Sequence, residues 1–198
     1  MPRDETTAQF RAIQRLDARD MVASVVLLAG RYLADHPDHG VIWLYYADSL
    51  CAMARYSEAL VALRRAAKRC PSAKLSLVYR RFGHLHQQRG AYRLAERWFR
   101  RATALRPSDA TDHIFLGALL ATAGRLSEAE AVHRHATKCK DGCRDEAFLN
   151  LGLVLRALGR FSEARRCFRR ALAIDPKYKA ARKQLSDIER VIQESRSA

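Results

Sequence analysis

A 34-residue period constrains this chain more than any other feature. Segments 40–73, 76–109, 110–143 and 145–178 align on shared landmarks, with two extra residues after the first and one after the third. Ala59, Ala95, Ala129 and Ala164 form one column; Ala66, Ala102, Ala136 and Ala171 form another. A small-residue column holds Ala47, Gly83, Gly117 and Gly152. Large residues precede it at Trp43, Tyr79, His113 and Phe148, then at Tyr46, Phe82, Leu116 and Leu151. A period of this length means stacked supersecondary units, none of which buries its apolar face alone.

Within each unit the pattern reads as two helices. Phe148, Leu151, Gly152 and Leu155 form one apolar stripe at helical spacing. The small residue admits a close partner helix, and the two alanine columns, seven apart, face the same seam. Gly90, Gly124 and Gly159 suit a left-handed turn between the helices. Ser57-Glu58, Ser127-Glu128 and Ser162-Glu163 read as a capping hydroxyl and an acid opening the second helix. Pro71, Pro107 and Pro176 stop it.

The chain resembles a tetratricopeptide repeat protein. Unit 145–178 matches that pattern at Phe148, Leu151, Gly152, Leu155, Gly159, Phe161, Ala164, Phe168, Ala171 and Pro176. The resemblance implies an all-α fold, a right-handed α-solenoid of stacked antiparallel helix pairs. Residues 8–37 read as a degenerate fifth repeat, with Phe10, Ile13 and Leu16 on one helix and Val22, Val25, Val26, Leu28 and Tyr32 on the next. Residues 179–193 read as a capping helix, 1–7 as a disordered start and 194–198 as a tail. Departures from the pattern are Ala54 at a turn-glycine position, His113 and His133 at apolar positions, and Asp141 at a proline position.

The same resemblance implies a non-catalytic scaffold that holds a peptide or helix of a partner protein in a concave groove lined by first helices. The inward positions are Leu44, Tyr45 and Asp48; Leu77, Arg80, Arg81 and His84; Ile114 and Phe115; and Leu149, Asn150 and Leu153. Asn150 matches the asparagine that many family members use to bond a peptide backbone. Arg80, Arg81 and His84 form a basic cluster suited to an acidic or C-terminal carboxylate anchor. One subfamily clamps acidic chaperone tails with lysines and asparagines. The matching positions here hold Leu44, Tyr45, Asp48, Thr111 and Phe115, so that clamp is not expected.

Net charge is +15, from 36 basic and 21 acidic residues, which favours acidic partners. Arg64-Arg65, Arg100-Arg101, Arg134-His135 and Arg169-Arg170 recur in one register of the second helices. Such a ridge is suited to a phosphate backbone, and nucleic-acid or anionic-surface binding is the alternative function. A second copy of the chain is a further candidate occupant of the groove. His135, Cys139 and Cys143 invite a metal reading, but their spacing matches no standard zinc signature. Cys139 also shares a column with Leu105 and Ile174, read as core, so no metal and no cofactor are expected. No phosphate loop, H-E-x-x-H helix or nucleophile elbow is present, so no enzyme is expected. Five cysteines without a framework spacing, no signal-peptide pattern and no apolar run of membrane length give a cytoplasmic expectation.

Overall fold

The computed structural model describes residues 2–197; the side chains of 1–7 and 195–198, where the sequence reads as a disordered start and tail, lie outside the described residues. Among the described residues eleven α-helices follow in order. They are α1 (Pro2–Asp17), α2 (Val22–Asp35), α3 (Gly40–Ala52), α4 (Tyr56–Arg69), α5 (Leu75–Gln88) and α6 (Tyr92–Leu105). Then come α7 (Ala110–Thr122), α8 (Leu126–Ala136), α9 (Arg144–Ala157), α10 (Phe161–Ile174) and α11 (Lys179–Ser197). A short 3-10 turn, Ser72–Lys74, precedes α5. The chain divides into two compact units, Met1–Ala102 and Thr103–Ala198.

In both units each helix packs on the next, and first helices also pack on first helices: α1 on α3 and α3 on α5 in one unit, α7 on α9 and α9 on α11 in the other. That placement explains the burial. Helix α3 buries Ile42, Trp43, Leu44, Ala47 and Leu50, residues spread around its circumference. Helix α10, with neighbours on one side, buries only the stripe Ala164, Phe168 and Ala171.

The small-residue column works as a notch for a ring. A Cβ at Gly83 would fall 2.5 Å from the Phe99 ring, and one at Gly152 would fall inside the contact with Phe168. In the first repeat the same register holds Ala47 and Leu63, both fully buried in one cluster. The larger notch residue goes with a smaller knob, which conserves volume.

The turn glycines take the expected conformation, with φ +74° at Gly90 and +75° at Gly124 and Gly159. Ala54 adopts it too, at φ +58°, although a side chain there costs about 1 kcal/mol or more. The serines do not cap the second helices. Helices α4, α8 and α10 begin one residue before Ser57, Ser127 and Ser162, so the cap positions fall to Arg55, Arg125 and Arg160, which make no side-chain cap bond. Each arginine instead grips the glutamate three residues on with two nitrogens: Arg55 on Glu58, Arg125 on Glu128 and Arg160 on Glu163. Arg160 and Arg134 extend this into a network with Glu130 that ties the third repeat to the fourth.

Where proline is usual, Asp141 donates its N–H to Ser108 O, and its carbonyl accepts from Ala110 N at 2.9 Å. A proline has no N–H to give, so this closure of the third repeat needs another residue.

Candidate functional site

On the first helices of residues 1–102, Tyr45, Asp48, Leu77, Arg80, Arg81 and His84 are half-buried. Leu44 corrects the sequence reading. It is 4% exposed and belongs to the core, because α3 is covered by four helices. The basic cluster is also less charged than expected. Arg81 Nε lies 2.9 Å from Asp48 Oδ2. Burial pushes the Asp48 carboxyl up to about 6, against the pull of Arg81 and with a further push from Asp17. Burial, then Arg81 and Arg80, lower His84 to about 4, so its ring is neutral at pH 7 and meets Phe99 edge-on.

In residues 103–198, Phe115, Asn150 and Leu153 are half-buried on α7 and α9. Ile114 and Leu149 are 2% and 8% exposed and pack inward, the same correction as for Leu44. Asn150 Nδ2 donates to Glu146 O of its own helix at 3.0 Å, leaving the amide oxygen as its acceptor. On α3 and α7, which are apolar all round, the half-buried candidates sit beside buried residues. Sequence periodicity cannot separate the two sets there.

The ridge arginines Arg64, Arg65, Arg100, Arg101, Arg134, Arg169 and Arg170 are all exposed. Much of their charge is already engaged. Arg100 pairs with Glu96, Arg134 with Glu130 and Glu163, and Arg169 with Glu189. Arg65 lies over Trp43 and Arg101 over Trp98, at 4.6 and 4.7 Å from the ring centres. Trp98 stacks on Phe82 and packs at the edge of the core, so it is no stacking platform for bases. Between α8, α9 and α10 a cavity of about 340 Å³ places Arg134, Arg166 and Arg170 around Phe148 and Leu155.

All five cysteines are free thiols. Cys139 is 6% exposed, yet Leu105 and Ile174 in its column are 48% and 49% exposed. The column is therefore not core, and Cys139 owes its burial to its own loop. His113, His135 and Cys139 bring their ligand atoms within 4.8 Å of one another, whereas Cys143 is exposed and stands outside that group. Spacing alone missed His113, which lies on the preceding helix. Among the described residues no helix is long and apolar enough to cross a membrane.

Models of the tetratricopeptide repeat match residues 80–141 and 145–178. Human tetratricopeptide repeat protein 7A is 31% identical over 134 residues, which are 68% of this chain and 15% of that protein. The chain thus spans a small part of the curated relative it matches. Among solved structures, the Cut9-Hcn1 hetero-tetramer of the APC/C superposes with a TM-score of 0.73 at 17% identity, over 92% of this chain and 36% of that one. YrrB, described as a repeat protein with an unusual peptide-binding site, gives 0.60 at 17% identity, over 87% of this chain and 88% of that one. At these identities the likeness is one of fold. With its 34-residue helix pairs, its ring-in-notch packing and these matches, the chain belongs to the tetratricopeptide repeat family, whose arrays are protein-interaction scaffolds.

Proposed function

We propose that the chain holds a peptide or helix of a partner protein against its first helices. The observation that carries this reading is the half-buried side chain that recurs at one repeat position, as Tyr45, Arg81, Phe115 and Asn150, with Leu77, Arg80 and Leu153 half-buried on the same helices. Tyr45, Leu77, Arg80 and Arg81 serve residues 1–102, and Phe115, Asn150 and Leu153 serve residues 103–198. Side chains of this kind keep apolar area available while their backbone is fixed by a packed helix, so little entropy is lost on binding. Asp48 beside Arg81 makes the anchor amphoteric rather than purely basic. An approaching carboxylate competes with Asp48 for that guanidinium, and a backbone amide finds the Asn150 oxygen.

The second helices are the less favoured surface, since carboxylates and tryptophans engage five of their seven ridge arginines. The test is partner binding by Tyr45→Ala with Leu77→Ala, and separately by Phe115→Ala with Leu153→Ala, helicity being confirmed by circular dichroism. Loss of binding in either pair, with Arg64→Glu and Arg65→Glu unaffected, supports the first-helix face. The reverse pattern transfers the function to the ridge.

A further inference from the structure

Three polar side-chain atoms crowd the carbonyl that ends the second repeat. His113 Nε2 lies 3.1 Å from Pro107 O, His135 Nε2 lies 3.2 Å from it, and Cys139 Sγ lies 3.7 Å from it. Corresponding proline carbonyls are served more simply: Trp43 Nε1 donates to Pro37 O at 2.7 Å, and Arg182 donates to Pro176 O at 2.7 Å. A carbonyl oxygen offers two lone pairs, and Cys139 Sγ also lies 3.6 Å from His135 O, so three polar side-chain atoms crowd one acceptor. The two imidazoles are 4.5 Å apart between centres, and the buried Cys139 completes the group.

The spacing of the three side-chain atoms about Pro107 O is close to that of a metal's ligand shell. A tetrahedral zinc ion with nitrogen and oxygen at about 2.1 Å and sulfur at about 2.3 Å separates its ligands by roughly 3.4 Å, or about 3.6 Å where one is sulfur. The distances to Pro107 O match those edges. The geometry points to a zinc site in the third repeat formed by His113 Nε2, His135 Nε2 and Cys139 Sγ, with the Pro107 carbonyl in the fourth position. Two imidazoles and one thiolate suit a borderline divalent ion and exclude magnesium and calcium, which take oxygen ligands.

Closing the shell requires the three side-chain atoms to draw together from their 4.8 Å limit, and His135 is exposed and able to rotate. On binding, each imidazole carries its proton on Nδ1 and offers the Nε2 lone pair. Cys139 gives its proton to solvent as the sulfur–zinc bond forms. The ion then joins the loop at Pro107 to α7 and to the end of α8, all within residues 103–198. The site stands apart from the half-buried residues of the first-helix face.

Full-length protein purified without a histidine tag and titrated with cobalt(II) tests this. The expected result is one equivalent bound, with a thiolate-to-cobalt charge-transfer absorption that Cys139→Ser abolishes. His135→Ala and His113→Trp should each weaken zinc binding by more than about tenfold, since even removing a residue that merely orients a ligand costs about that much. His113→Trp keeps the packing and the carbonyl bond that Trp43 makes in the first repeat, so its loss of affinity does not reflect unfolding. Zinc should also raise the melting temperature of the wild type and leave that of Cys139→Ser unchanged. Cobalt binding without the charge-transfer band, or unchanged affinity in the folded variants, overturns the proposal.

Discussion

In the fourth repeat Gly152 of α9 seats the Phe168 ring of α10; in the third, Gly117 of α7 seats the imidazole of His133 on α8. Both rings are fully buried, and the backbone approach is the same. The difference is chemical. Phe168 buries only carbon, whereas neither nitrogen of His133 meets a hydrogen-bond partner among the described residues. Burial lowers His133 to about 4, so it is packed as a neutral ring. The notch therefore selects shape first. A planar ring of the right size is accepted even when its polar atoms go unsatisfied, at a cost of about 1–3 kcal/mol.

The largest effect is expected on removing that difference. His133→Phe should stabilise the protein by about 1–3 kcal/mol at neutral pH. Its advantage should widen in acid. The unfolded imidazole takes a proton near its ordinary 6.5 and the folded one only near 4, so between these values the unfolded state binds more protons. The wild type therefore loses stability as pH falls through that window, by up to roughly 3 kcal/mol from this group, and the phenylalanine variant does not. Urea unfolding of both proteins on either side of the window measures the gap. A gap that stays constant with pH would show that His133 is not buried as the neutral base.

Filling the notch should erase what the two repeats share. Gly117→Ala and Gly152→Ala each bring a methyl into a buried ring, so each should cost about 1–3 kcal/mol, read as a fall in the urea midpoint. Turns give a smaller effect. Ala54→Gly should stabilise by about 1 kcal/mol, because it relieves a left-handed alanine where the other repeats have glycine. Arg125→Gln should change the melting temperature least, since its pair with Glu128 is exposed at both ends.

Much of the fold was readable from sequence because the repeat writes each contact several times. Four alanines in one column point to one seam, and the register of Gly83, Gly117 and Gly152 locates the notch without coordinates. What periodicity could not give was sidedness on the first helices. Leu44, Ile114 and Leu149 have the same apolar character as Leu77, Phe115 and Leu153, and only the placement of neighbouring helices divides core from surface. Electrostatics were hidden for a similar reason. Asp48 and Arg81 are 33 residues apart, and only the stacking of α5 on α3 makes them partners. His113 and Cys139 came together through a loop whose backbone bridge, Asp109 to Asp141, has no sequence signature.

An array that holds a partner protein on its first helices keeps that partner when nucleic acid is removed. Affinity capture from lysate treated with nuclease tests it most directly, with wild type run beside the Tyr45→Ala, Leu77→Ala variant and the Arg64→Glu, Arg65→Glu variant. The expected result is a discrete protein set that survives nuclease, is retained by the ridge variant and is lost by the first-helix variant. Bound material that disappears with nuclease, or that only the ridge variant loses, would contradict it.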